Sequence, residues 1–190
     1  MGKFTFHETP MEGLYVVEPT IFVDERGYFL ETYNEEFAPY VKHADGTLCG
    51  YVQDNESKSR KGVLRGLHMQ MTQPQGKLVR VLQGEIYDVV VDVRKGSATF
   101  GQYFSEVLSA ENKKQLLIPE GFLHGFVVLS ETATFSYKCT RPYAPGDEFG
   151  VMWNDKELAV PWPIAEAEVI LADKDKKNHS FRELTEVLEK

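Results

Sequence analysis

The chain has 190 residues, a formal net charge of −8 and a 42% share of hydrophobic residues. A chain of that length buries roughly 70% of its unfolded surface, so it can build a core without metals or disulfides, and low complexity is excluded. The acidic balance argues against a general nucleic-acid or membrane-surface binder. It does not argue against an anionic small molecule, because screening over about 8 Å lets a few local cations outweigh the global sign.

In chain order, Met1 to His7 is polar-interleaved and lacks the apolar stretch of a signal peptide. Phe6 stands where a myristoylation signal needs Ser or Thr. Asn34 is placed to cap a short turn through Glu35, Glu36 and Phe37 that Pro39 stops. From there on, glycines such as Gly62, Gly76, Gly84, Gly96 and Gly121 separate segments rich in Val, Ile, Phe and Tyr, which reads as many short strands. Between Gly84 and Gly96, Tyr87, Val89, Val91 and Val93 share one strand face while Asp88 and Asp92 fall on the other. The most apolar window, Leu116 to Leu129, is interrupted by Pro119, Glu120 and His124 and cannot span a membrane. From Thr132 to Thr140 the alternation is cleaner: Ala133, Phe135, Tyr137 and Cys139 point one way, and the Thr, Ser and Lys residues point the other. Ser180 and Glu183 form a capping box, and Phe181, Leu184, Val187 and Leu188 then give one helical stripe. Cys49 and Cys139 lie in no metal-binding or disulfide pattern. The expectation is a single all-β domain over residues 1–190, a sandwich or barrel with helical trimmings, soluble and cytoplasmic.

Of five histidines, His7, His43 and His179 sit in polar, loop-like surroundings and read as surface residues. His68 ends the strand-like run Gly62-Val63-Leu64-Arg65-Gly66-Leu67-His68, and His124 follows the turn Pro119-Glu120-Gly121. One such imidazole would be read as a hydrogen-bonded core residue; two, each beside a glycine-flanked strand, point to a shared pocket. Their setting resembles the two motifs of the cupin barrels, with Pro119-x-Gly121-x-x-His124 as the second. The first motif normally supplies His-x-His and a Glu, whereas here Gln70 and Lys77 stand in their places. Two imidazoles and an ammonium group suit a divalent metal poorly. They suit proton transfer: a neutral His accepts a proton, a Lys stabilises an oxyanion, and an inward Tyr137 can protonate a carbanion.

The chain resembles the dTDP-4-dehydrorhamnose 3,5-epimerases, metal-free cupins of nucleotide-sugar biosynthesis. The resemblance is carried by Asp24-Glu25-Arg26-Gly27-Tyr28-Phe29-Leu30-Glu31, Gln53-Asp54-Asn55-Glu56-Ser57 and the His68 run. Further on it rests on Pro74-Gln75-Gly76-Lys77, Pro119 to Phe126, Tyr137-Lys138-Cys139-Thr140 and Lys174-Asp175. It implies a cupin jelly-roll barrel with peripheral and C-terminal helices, no cofactor and no metal. It also implies a substrate, dTDP-4-dehydro-6-deoxy-D-glucose, inverted at C3 and C5 to dTDP-4-dehydro-L-rhamnose. By resemblance His68 is the base, Asp175 its orienting carboxylate, Tyr137 the acid and Lys77 the group that stabilises the enolate. Arg26, Arg65 and Lys174 are implied near the diphosphate, Phe29 and Glu31 near the thymine, Tyr143 stacking by the nucleotide, Gln53 and Asn55 as polar contacts, and His124 by the sugar or its phosphates. The Arg26 segment is implied to serve a neighbouring subunit, hence a homodimer. Arg65 and His68 are three residues apart, which in a regular strand puts them on opposite faces. Either a bulge at Gly66 restores convergence or Arg65 reaches the site from an edge. The rival functions are a relative inverting only C3 or C5, a non-catalytic sugar-nucleotide-binding cupin, and a metal cupin.

Overall fold

The glycine-punctuated apolar runs fold as antiparallel strands in a computed structural model that describes residues 2–189. The strands are β1 (Phe4–Glu8), β2 (Tyr15–Pro19), β3 (Phe22–Asp24), β4 (Gly27–Phe29), β5 (Gln53–Arg60), β6 (Leu64–Gln70) and β7 (Lys77–Gln83). They continue as β8 (Glu85–Asp92), β9 (Tyr103–Ser109), β10 (Gln115–Ile118), β11 (Phe122–Val128), β12 (Thr132–Cys139) and β13 (Glu148–Gly150), followed by the helix α1 (Phe181–Leu188).

One sheet has the order β1-β2-β10-β7-β12-β5 and the other β13-β6-β11-β8-β9, while β3 and β4 pair apart as a hairpin. Apart from β1–β2 and β8–β9, neighbours within the two sheets are not consecutive in sequence, the crossing pattern of a jelly roll. The expected cupin architecture is therefore present. Its central core lies between the sheets, where Val79, Leu116 and Phe135 of the first meet Ile86, Val90 and Phe126 of the second. Outside the second sheet, Leu67, Val89, Val91 and Leu123 are covered by Val151, Leu158, Phe181 and Leu184 from the C-terminal segment. This double cover explains β8: Val89 and Val91 pack outward, and the opposite face, with Asp88 and Asp92, is buried between the sheets.

Helix α1 starts as its sequence requires. Glu183 N donates to Ser180 Oγ (3.2 Å) and Ser180 N donates to Glu183 Oε2 (2.7 Å). Burying Phe181 and Leu184 stabilises the docked helix by roughly 1.5–3 kcal/mol each. Of the rest of the expected stripe, Leu188 packs partly buried against the same cluster, while Val187 is 44% exposed.

The Arg65–His68 spacing is resolved by a bulge. On β11, His124 faces His68 and Phe126 faces Arg65, so two intervening residues of β6 oppose one of β11. Gly66 adopts φ +123°, and a Cβ there would lie 2.6 Å from Gly125 Cα, so both positions require glycine. The bulge turns Arg65 toward the same cavity as His68.

Candidate active site

A cavity of about 560 Å³ opens between the two sheets. Its walls come from β6 and β11 on one side and β5, β7 and β12 on the other, and the segment 170–175 closes one edge. His68, Lys77, Tyr137, Asp175, Gln53, Asn55, Arg65, His124, Tyr143 and Lys174 all line it.

His68 is carried by β6, with its Nε2 2.7 Å from Asp175 Oδ1. Asp175 opens a short 3₁₀ turn whose backbone N–H donates to Ala172 O (3.0 Å), and its side chain is only 2% exposed. Asp173, two residues earlier, points to solvent and pairs with Lys176. A charged acceptor at Nε2 keeps the proton there and leaves Nδ1 as a lone pair. Across the bulged pair, His124 Nε2 lies 3.1 and 3.0 Å from the two oxygens of Asp88. Burial pushes Asp88 above the ordinary carboxylate range and His124 below the ordinary imidazole range, and their mutual attraction opposes both shifts.

Lys77 begins β7, opposite Cys139 of β12. Burial lowers its pKa, and the nearby Cys139, Asp88 and Glu148 pull it back up. Tyr137 packs on Phe135 with ring centroids 5.4 Å apart. Burial raises its pKa, with Arg65 opposing, so the phenol keeps its proton at neutral pH. Among the described residues, the only buried side-chain polar atoms left without a partner are Tyr51 Oη and Gln115 Oε1. The unpaired Nδ1 atoms of His68 and His124, Lys77 Nζ and Tyr137 Oη therefore all keep access to the cavity they line. This is a site furnished for proton transfer. It does not fit a divalent metal: among the described residues no three His, Cys, Asp or Glu side chains converge, each imidazole already faces a carboxylate, and Lys77 adds a cation.

Comparison with known proteins agrees with this geometry. A family model described as dTDP-4-dehydrorhamnose 3,5-epimerase matches residues 8–183. The enzyme of that name from Pseudomonas aeruginosa is 52% identical over 164 residues, 86% of this chain and 88% of the relative. The crystal structure of dTDP-4-dehydrorhamnose 3,5-epimerase from Elizabethkingia anophelis superposes with a TM-score of 0.88 at 48% identity, covering 96% of this chain and 98% of the other. The dTDP-6-deoxy-D-glucose-3,5-epimerase from Legionella pneumophila, solved in complex with dTDP-4-keto-L-rhamnose, gives 0.87 at 47% identity over 94% and 93%. The chain belongs to the dTDP-4-dehydrorhamnose 3,5-epimerase family.

Around His68, Lys77, His124 and Tyr137 lies a polar rim. Arg65 Nε and Nη2 donate to Ser59 Oγ (3.2 and 3.1 Å). Tyr143 N donates to Gln53 Oε1 (2.9 Å), Gln53 Nε2 to Asn55 Oδ1 (2.9 Å), and Asn55 Nδ2 to Cys139 Sγ (3.7 Å). Lys174 is paired with Glu148 at the rim. Arg26, Phe29 and Glu31 do not line the cavity of their own chain. Arg26 pairs with Asp24 on the exposed β3–β4 hairpin, Phe29 is 62% exposed, and Glu31 bonds Lys3 and Asn34. His43, expected at the surface, is instead tied to the buried Glu120, its Nδ1 2.7 Å from Oε1. Glu148 and Cys139 line the cavity without having been expected in the site, and Asp88, buried behind the cavity wall against His124, was missed as that histidine's partner; the alternation of β8 set Asp88 apart but gave no sign of which way its face points. No helix among the described residues is long and apolar enough to cross a membrane.

Proposed function

We propose that this chain, acting as one catalytic domain, inverts C3 and C5 of dTDP-4-dehydro-6-deoxy-D-glucose to give dTDP-4-dehydro-L-rhamnose. One observation carries the reading: a base backed by a carboxylate, a phenol and an ammonium group each direct an unpaired polar atom into one cavity. His68 and Tyr137 belong to opposed sheets, so a sugar between them would meet a base on one face and an acid on the other. His68 Nδ1 takes the acidic proton beside the C4 ketone, and the electron pair moves into the carbonyl to form an enolate. Lys77 stabilises the enolate oxygen. Tyr137 returns a proton to carbon from the opposite face, which inverts the centre. Imidazolium and phenolate then reset through cavity water, and the same steps serve the second carbon. General base and oxyanion stabilisation together supply roughly 10⁴ to 10⁶ of the acceleration, and positioning supplies more.

In this reading Arg65 and Lys174 bind the diphosphate, Tyr143 and Gln53 lie by the thymine, Asn55 adds a polar contact, and His124 faces the sugar. The enzyme works as a homodimer in which Arg26, Phe29 and Glu31 complete the neighbouring subunit's site. Supporting this is a hairpin that exposes Val23 (76%), Tyr28 (60%) and Phe29 (62%), apolar surface that a second subunit would cover. The reaction is placed in the cytoplasm, because a nucleotide diphosphate sugar does not cross a membrane unaided.

The test is proton exchange in deuterated water with metal-stripped protein, followed by NMR at C3 and C5. Exchange at both carbons, with the L-product trapped by a reductase, is the expected result. Exchange with inversion at one carbon moves the assignment to a single-site epimerase. No exchange with nucleotide still bound leaves a binding protein. Sedimentation of the Arg26→Ala protein, with its KM for substrate, tests the subunit contribution; an unchanged KM rejects it.

A further inference from the structure

A second imidazole–carboxylate pair backs the cavity wall, and the proton transfers proposed above leave its carboxylate unused. Asp88 is wholly buried on the inner face of β8, between Ile86 and Val90. Its only side-chain partner among the described residues is His124, whose Nε2 both carboxylate oxygens approach. A lone carboxylate in an apolar interior is costly, and one imidazole offsets that cost poorly. Asp92, on the same face of the same strand, is satisfied by Arg94, Ser97 and Thr99. The charged and titratable groups facing the Asp88 pair are Lys77 from β7 and His68 from β6. Lys77 has no carboxylate of its own. The His124 ring lies near-parallel to Phe135 (centroids 6.0 Å, planes 25° apart), and with Nε2 turned to Asp88 its other nitrogen, Nδ1, is the one left for the cavity.

We infer that Asp88 is a positioning residue: as a carboxylate it fixes His124 as the neutral Nε2–H tautomer, so that Nδ1 presents a lone pair to a sugar hydroxyl, and it balances the charge of Lys77. Were the pair to take up one more proton and Asp88 to become a carboxylic acid, it would donate to Nε2 and Nδ1 would carry the hydrogen of the neutral imidazole. Asp88 thus decides whether the sugar meets an acceptor or a donor at this wall. Burial pushes Asp88 toward the neutral acid, and His124, then Lys77, pull it back toward the carboxylate. The inference rests on the cavity holding the sugar as proposed above, and its first test does not depend on turnover.

That test is ¹⁵N NMR of the full chain labelled in histidine, at neutral pH with dTDP as the added ligand. His124 is expected with a protonated Nε2 and an unprotonated Nδ1. An Nδ1–H tautomer or an imidazolium overturns the inference. Asp88→Asn is then expected to mix the two tautomers and to lower kcat about 10- to 100-fold, while dTDP affinity stays within about threefold. Unchanged kcat and unchanged tautomer also overturn it. If the variant does not fold, the wild-type spectrum decides alone. A chain that fails to exchange substrate protons but shows the expected tautomer refutes the epimerase reading and leaves the His124–Asp88 geometry standing.

Discussion

His68 and His124 are cross-strand partners, yet their carboxylates come from different kinds of structure. Asp88 is fixed by the strand register of β8, while Asp175 arrives on an irregular turn more than a hundred residues along the chain from its histidine. The difference extends to water. The side chain of His68 is 18% exposed beside Asp175, against 8% for His124 beside the fully buried Asp88. A base must unload its proton after every inversion, and the wetter pair can do so through cavity water. In the proposed mechanism the drier pair serves instead as a fixed hydrogen-bonding wall. On the proposed roles, one arrangement serves two functions, separated by solvation and not by residue type.

The strongest way to break this comparison is to remove each imidazole in turn. His68→Ala is expected to lower kcat by about 10³ to 10⁴ with dTDP affinity changed less than about threefold, as for loss of a general base. Intact turnover in the nucleotide-bound complex, with affinity lost, would give His68 a binding role and reverse the assignment. Tyr137→Phe comes next. Without the phenol proton the enolate still forms, so deuterium should continue to enter from the His68 face while inversion falls about 10²-fold. Equal losses of exchange and inversion would mean that Tyr137 does not act after the enolate.

How much of this could be read in the sequence depends on whether the signal was local. The alternation of β12 placed Tyr137 beside Phe135 on the inner face, and the Pro-x-Gly turn marked the strand that carries His124. The conflict between the spacing of Arg65 and His68 pointed to Gly66, because only a bulge lets both reach one cavity from within the strand. Asp175 had no local signal: in Asp173-Lys174-Asp175-Lys176-Lys177 nothing but family resemblance separates the buried carboxylate from the solvated one. Asp88 failed for another reason. Both faces of β8 are covered, so the contrast between its apolar and acidic faces did not report the direction of solvent. His43 looked like a surface residue because Glu120, its partner, lies 77 positions away.

A smaller effect sharpens the contrast between the pairs. Asp175→Asn leaves a hydrogen-bonding side chain at Nε2 but removes the charge that fixes the His68 tautomer. A loss in kcat of about 10²-fold or more is expected, with KM little changed, since a dyad carboxylate acts through the orientation of its histidine. The same change at Asp88 is expected to cost less, because in the proposed mechanism His124 takes no proton from carbon. Steady-state kinetics on both variants ranks them, and a larger loss at Asp88 would exchange the roles given to the two pairs.

Asp92 supplies the control for a carboxylate that only holds structure. It shares its face of β8 with Asp88, but it accepts from Arg94 Nε (2.9 Å), Ser97 Oγ (2.6 Å) and Thr99 Oγ1 (2.6 Å). Burial alone would raise its pKa; these hydrogen bonds outweigh burial and hold it at about 2, below the usual 3.8. A depressed carboxylate stabilises the fold wherever the unfolded chain is also ionised. That contribution, about 2 kcal/mol, is complete above the unfolded value and disappears as the pH falls from about 4 to about 2. Asp92→Asn should therefore lower the Tm by roughly 4–8 °C at pH 7, and the gap to the wild type should close in acid. Its kcat should stay within about twofold, since no reacting group touches it. Thermal unfolding at several pH values, beside initial rates, checks both halves. A gap that persists at pH 2 would mean that packing, not charge, holds this end of β8. A fall in kcat as large as that of Asp88→Asn would mean that any buried acid on this face supports turnover, and the special place given to Asp88 would go with it.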